Sequence, residues 1–155
     1  MRIEIRRATS SDSSRATELA RIAKAHWGYP AEWLASWSDE LSISEQDIEH
    51  HATFVAILDG HVVGICQLHE GGVGAVLENV WVDPAYHGRG VGRALVEHAQ
   101  RHASGVIAIV ADPYAEPFYL KLGARRVGAV PAPMPGAPDR KLPLLELDGG
   151  RYSSS

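Results

Sequence analysis

The stretch Val82-Asp83-Pro84-Ala85-Tyr86-His87-Gly88-Arg89-Gly90-Val91-Gly92-Arg93-Ala94-Leu95 decides the reading of the whole chain. An apolar run ends at a proline, three glycines alternate with other residues, and a helical pattern begins directly behind them. A strand therefore feeds a helix through a loop almost stripped of side chains. In such a loop successive backbone N–H groups converge at a helix N-terminus, where unpaired donors and the helix dipole both favour negative charge. The stretch predicts a phosphate-bearing ligand.

Spacing separates the candidate ligands. A dinucleotide fingerprint requires G-x-G-x-x-G, and from Gly90 the chain runs Gly-Val-Gly-Arg-Ala-Leu, so it fails; a nucleotide P-loop requires G-K-[ST], which is absent. The pattern V-x-P-x-x-[QR]-x-x-G-x-[GA] fits at Val82, Pro84, Gly90 and Gly92, with His87 at the Gln/Arg position. In this the stretch resembles the signature of the GNAT superfamily of acyl-CoA-dependent N-acetyltransferases. A second segment, Asp112-Pro-Tyr-Ala-Glu-Pro-Phe-Tyr-Leu-Lys-Leu-Gly123, is similar to that superfamily's second motif at Ala115, Phe118, Tyr119, Leu122 and Gly123, with Asp112 where the motif has Asn.

Bulk properties agree with a single domain, which we place at 1–150, followed by a frayed tail at 151–155. A chain of 155 residues can bury about two-thirds of its unfolded surface. The net charge of −4 makes nucleic acid an unfavoured partner. The single Cys66 can form no internal disulfide, and Met1-Arg2-Ile3 leads into no long apolar run. The expectation is a cytoplasmic protein with no membrane span. Between Ala25 and Gly88 there is no Lys or Arg, although Glu32, Asp39, Glu40, Glu45, Asp47 and Glu49 fall there. This is either ordinary solvation of helix surfaces or an acidic mouth facing a cationic acceptor.

The remaining elements follow from periodicity. Residues 2–7 alternate as a half-buried strand, and Ala16, Leu19, Ala20, Ala23, His26 and Trp27 mark a helix capped by Ser11 or Asp12 and stopped by Gly28. Residues 31–51 carry one or two short helices broken near Ser42–Ser44. The runs 52–58 and 61–69 flank Asp59-Gly60, a strong hairpin signal. Gly71, Gly72 and Gly74 make a turn, 75–82 and 106–110 are strands, and 91–99 is a helix. Pro117 confines the next helix to a start near Pro113 or Tyr114 and an end at Gly123. Residues 125–130 and 142–147 form a last pair around the stiff loop Pro131–Pro138. The order matches that of a GNAT domain: an α+β fold with a mixed, mostly antiparallel sheet of about six or seven strands and about four helices.

What the resemblance implies chemically is transfer of an acetyl group from acetyl-CoA to a primary amine of a small molecule or amino acid, by direct attack in a ternary complex. The amine must arrive neutral, and at pH 7 an amine of pKa ~10.4 lies about 3.4 units, or roughly 4.6 kcal/mol, from that state. Glu78, which by strand parity shares a face with Val80 and Val82, is a candidate base; the plain alternative is a solvated or sheet-bound carboxylate. Tyr119 matches the tyrosine that serves similar enzymes as general acid, with Tyr114 as a lesser substitute and aromatic packing beside Phe118 as the alternative. The strand near Val80 and Trp81 is the superfamily's usual source of N–H donors for the oxyanion. The cofactor-binding set is then Val80, Trp81, Val82, His87, Gly88, Arg89, Gly90, Val91, Gly92, Arg93, Tyr114 and Tyr119. His87 is a weaker phosphate partner than Gln or Arg, and Arg89 and Arg93 are either phosphate contacts or solvated.

Other features carry less. His98 and His102 stand four apart but lack a third ligand, so no metal is expected. Cys66 lies mid-strand and reads as core. Trp27, Trp33 and Trp37 form either a cation-binding wall for the acceptor or helix packing. The resemblance allows a homodimer, and the departures at His87 and Asp112 leave room for a different class of function: a non-catalytic acyl-CoA-binding or interaction module on the same fold.

Overall fold

Asp59 and Gly60 take φ of 55° and 79°, the two-residue turn that joins β2 (Ala52–Leu58) to β3 (His61–Glu70). The hairpin is part of a computed structural model that describes residues 2–70 and 74–150. Before it come β1 (Glu4–Arg7), α1 (Ser13–His26), α2 (Ala31–Ser36) and α3 (Glu45–His50). After it come β4 (Ala75–Val82), α4 (Val91–His102), β5 (Val106–Val110), α5 (Glu116–Lys121), β6 (Arg125–Pro131) and β7 (Lys141–Asp148), and short 3-10 turns precede α1 and α4. The expected tail at 151–155, and Gly71 and Gly72 of the expected turn, lie outside the described residues.

The seven strands form one sheet in the order β1-β2-β3-β4-β5-β7-β6, parallel only between β4 and β5. Alternation along the strands divides the core in two. On one face Phe54, Val63, Cys66, Leu68 and Leu77 meet Val91, Leu95, Val96 and Ala99 of α4, and Tyr119 of α5 joins them. On the other, Val55 and Ile65 meet Ala16, Leu19 and Ala20 of α1 together with Leu41, Ile43 and Ile48. Each fully buried Leu or Ile contributes about 1.5–3 kcal/mol.

Gly64 explains how closely α4 lies on the sheet. A Cβ there would stand 2.9 Å from both Leu95 and Val91, so no larger residue fits beneath the start of the helix. α1 is anchored by Asp12, whose carboxylate accepts from Arg6 and from the Thr9 N–H. The helices broken near Ser42–Ser44 are two: Ser44 caps α3, accepting from the Asp47 N–H while the Asp47 side chain accepts from the Ser44 N–H.

Two local readings need correction. The helix expected from Pro113 or Tyr114 starts at Glu116, because Asp112 accepts from the Tyr114 and Ala115 amides and folds residues 112–115 into a turn; Pro117 still sits in the first turn. The parity argument for β4 also fails. Gln67 pairs with Glu78 and Ile65 with Trp81, so between these pairs one residue of β3, Cys66, faces two of β4, Asn79 and Val80. This bulge, with Asn79 at φ 54°, reverses the alternation. Val80 and Val82 pack toward α4, Trp81 toward α1, and Glu78 does not share the valines' face.

Candidate active site

β4 and β5 hydrogen-bond at only two positions, Ala75 with Ile107 and Val76 with Ala108. Beyond these the strands splay, and a cleft of about 1010 Å³ opens between them, bounded below by the glycine loop and above by α1, α5 and the β6–β7 loop. Past Val76 the edge of β4 that faces β5 has no strand partner among the described residues. Alternate N–H and C=O groups along it are left for an extended ligand, as at any unpaired sheet edge.

The bulge sits in this free edge and is held by side chains. Asn79 Nδ2 donates to Gln67 Oε1 at 2.9 Å, and the Trp81 indole N–H donates to Asn79 Oδ1 at 3.1 Å. Gln67, 1 % exposed, in turn donates to the Thr53 hydroxyl. These bonds fix a positive-φ Asn and so fix which backbone groups of residues 79–81 point into the cleft. Sequence parity did not reveal the bulge, since a one-residue insertion in the pairing leaves no mark on the apolar pattern. Glu78 lines the cleft, about half exposed, with its carboxylate 3.4 Å from His69 Nε2. The His69 ring stacks on His51 at 3.6 Å.

The glycine loop closes one end. Asp83 accepts from the Ala85 N–H and pairs with Arg15 of α1 at 3.2 Å, fastening the chain just before the loop. Gly88 and Gly90 adopt φ of 79° and 82°, a conformation costly for other residues, and Gly90 is the N-cap of α4. A Cβ on Gly92 would lie 3.0 Å from the Phe118 ring, so the start of α4 touches the second motif directly. Val91 is buried. His87 is exposed and meets His26 edge to face. Arg93 lines the cleft and pairs with Glu97. Arg89 lies over the Tyr86 ring and is the one residue of the expected set not on the cleft wall.

Tyr119 projects into the cleft from α5. It is 6 % exposed, and no hydrogen bond among the described residues holds its hydroxyl. Burial, with Cys66 and Asp112 nearby, pushes its phenol up beyond the ordinary range, so the group is held protonated. Burial likewise pushes the Cys66 thiol up to about 12, and its sulfur donates to the Leu95 carbonyl; it is a core residue. Tyr114 is exposed and stacks on Trp27.

The far end of the cleft departs most from expectation. Trp27 is diverted to Tyr114, while Trp33 and Trp37 gather with Tyr29, a residue the sequence did not single out. The cation seats of this wall are taken by the chain itself. Lys24 Nζ lies 4.9 Å from the Tyr29 ring centroid and 4.4 Å from that of Trp37. The Arg140 guanidinium lies 5.4–5.7 Å from the centroids of Tyr29, Trp33 and Trp37. Of the two readings of the cation-free span, the acidic mouth is therefore not what the fold builds. The cation-free span of sequence meets Lys24 from just before it and Arg140 from long after it. Asp112 accepts from Lys24 at 2.6 Å and from the Tyr29 hydroxyl, so this carboxylate, where the motif has Asn, ties α5 to α1. Burial and that carboxylate push the Tyr29 phenol up to about 12.

Among the described residues no three His, Cys, Asp or Glu side chains form a group able to hold a metal, and His98 and His102 rest against Phe54. No helix among them is long and apolar enough to cross a membrane.

A comparison with curated protein sequences finds no match. Solved structures share the fold: PaiA N-acetyltransferase from Thermoplasma acidophilum in complex with coenzyme A is 20% identical, with a TM-score of 0.75 over 96% of this chain and 99% of that one. The ribosomal-protein-S18-alanine N-acetyltransferase from Escherichia coli is 18% identical, with a TM-score of 0.70 over 99% and 98%. YncA from Salmonella typhimurium, solved with its cofactor acetyl-CoA, is 16% identical, with a TM-score of 0.69 over 100% and 98%. The family model described as acetyltransferase (GNAT) family matches residues 19–124, well over half of the sequence, from the middle of α1 through both motifs to the end of the second. The chain belongs to the acetyltransferase (GNAT) family.

Proposed function

We propose that the protein is an N-acetyltransferase that moves the acetyl group of acetyl-CoA to a primary amine of a small molecule or amino acid within a ternary complex. The splayed β4–β5 cleft, with the glycine loop at one end and the Tyr119 hydroxyl inside, is the observation that carries this reading. Bound acetyl-CoA supplies an activated thioester. The backbone amides of residues 88–92 at the start of α4 receive the pyrophosphate, and the free edge of β4 pairs with the amide-bearing arm. His87 and Arg93 stand beside the loop as secondary contacts.

The reaction forms one C–N bond and breaks one C–S bond, while one proton leaves the amine and one reaches the departing sulfur. N–H groups near Val80 and Trp81 face the oxygen charge that develops between these events. Tyr119, held protonated, donates a hydrogen bond to the sulfur. Glu78 accepts the amine's proton, through water where the two are not in contact, and, being about half exposed, passes it to solvent. Glu78→Gln then lowers kcat/KM at pH 7 and regains activity as the pH approaches the amine's own pKa; a flat, proportionate loss at every pH would remove Glu78 from this role.

Two measurements test the reading. Isothermal titration with acetyl-CoA and CoA should give dissociation constants below the high micromolar range, and absence of binding there refutes it. A thiol-release assay with diverse amines should give steady CoA release above hydrolysis; binding without release from any amine would identify a non-catalytic acyl-CoA-binding module instead.

A further inference from the structure

The end of the cleft away from the glycine loop is lined by Lys24, Arg140, Asp112 and Glu40. Lys24 and Asp112 neutralise each other at 2.6 Å, both nearly buried. Arg140 has no carboxylate partner within 4.0 Å among the described residues; its guanidinium donates to the Ala132 carbonyl at 3.3 Å and also interacts with the Tyr29 hydroxyl. Its side chain is half-buried and lines the cleft.

Arg140 is also firmly placed. It ends the proline-rich loop between β6 and β7, where its N–H donates to the Ala137 carbonyl and its carbonyl accepts from the Ala132 N–H. That loop is pinned to α2 by the Trp33 indole N–H, which donates to the Pro135 carbonyl at 3.1 Å. The guanidinium is held among Tyr29, Trp33 and Trp37, which restrict its rotamers and screen it from water, and its five N–H donors outnumber its partners at the Ala132 carbonyl and the Tyr29 hydroxyl. An aromatic enclosure already filled by two cations cannot recruit a cationic group. A fixed guanidinium at a cleft wall, without a carboxylate partner among the described residues, fits a planar anion.

We infer that Arg140 is the carboxylate-binding residue of the acceptor site, and that the acceptor is a free amino acid whose carboxylate docks on Arg140 while its amine faces the thioester. This rests on the acetyltransferase reading above and narrows it from amines in general to amines that carry a carboxylate. The two ends of such a zwitterion match two opposite charges that line the cleft from different elements: Arg140 from the β6–β7 loop and Glu78 from β4. Lys24 cannot substitute, because Asp112 already occupies it.

The test compares acid with amide. The twenty proteinogenic L-amino acids and their carboxamides are assayed for CoA release with acetyl-CoA, and each is also titrated calorimetrically into the protein with and without CoA. At least one acid should exceed its amide in kcat/KM or in affinity by about tenfold to a hundredfold, the range of a charge-assisted hydrogen bond. In Arg140→Gln that acid-to-amide ratio should fall toward one, and Arg140→Lys should restore part of it; circular dichroism and melting temperature establish that both variants fold. Amides that match or exceed their acids, or an acid preference that survives in Arg140→Gln, overturn the inference. So does failure of every acid to bind. The acetyltransferase reading fails separately, on absence of acetyl-CoA binding, since amino-acid binding is measured in either case.

Discussion

Tyr119→Phe isolates one oxygen atom. In the folded protein the hydroxyl makes no hydrogen bond with any described residue, and the ring is packed at 6 % exposure against the α4 face of the sheet. Removing the oxygen therefore deletes no intramolecular bond and leaves no buried partner unsatisfied, so stability should change by less than about 1 kcal/mol. For a domain of this size that is a melting shift within about 2–4 °C. Catalysis is affected differently. A hydrogen bond to a charged partner is worth about 1.5–3 kcal/mol, which converts to a roughly ten- to 150-fold loss of turnover if the bond forms only as charge develops on sulfur. Acetyl-CoA affinity should stay within about threefold, because the ground-state thioester is a poor acceptor. Thiol-release kinetics, calorimetry with acetyl-CoA and thermal unfolding read the three quantities on the same two proteins. Turnover within twofold of the parent refutes the reasoning, and a parallel loss of affinity and turnover places Tyr119 in binding.

Other perturbations have equally definite outcomes. Gly92→Ala puts a methyl 3.0 Å from the Phe118 ring; it should cost about 1–3 kcal/mol in urea unfolding and weaken CoA binding by calorimetry, and an unchanged protein would contradict the close packing of α4 on α5. Asp112→Asn keeps the shape that accepts from Tyr29 but strands the nearly buried Lys24 ammonium, with a cost of about 3 kcal/mol and a melting point lower by roughly 6–12 °C. At Asp12 the hydrogen bonds from Arg6, and after them that from the Thr9 N–H, hold the carboxyl below the usual aspartate range. A depressed folded pKa gives stability that is complete above the unfolded value of about 3.9 and is lost as pH falls through the folded value. Urea midpoints should therefore drop between pH 6 and pH 3 by more in the parent than in Asp12→Asn. Tyr119, held protonated by burial, should add no tyrosinate absorbance at 295 nm up to pH 11 in folded protein.

The sequence by itself determined the elements that local chemistry controls. Alternation set the strands, Asp59-Gly60 set the hairpin because a turn with two positive φ angles matches the strands' twist, and the spaced glycines set the loop before α4. Both motifs were legible because each is a continuous run whose backbone geometry depends on its own residues. Tertiary structure decided everything that depends on pairing across the chain. The bulge at Asn79 arises from register against β3 and is held by Gln67, and with it Glu78 left the face that simple parity gave it. The cleft exists because β4 and β5 separate after two pairs, a property of the pairing and not of either strand's composition. Charge at the acceptor end changed character for the same reason. Lys24 and Arg140 are 116 positions apart and meet around Tyr29 and Trp37 only when the sheet brings α1 beside the β6–β7 loop. A cation-free span of sequence fixes which side chains a segment contributes, but the field inside a cleft is the sum over all segments that reach it, and that sum is defined only by the fold.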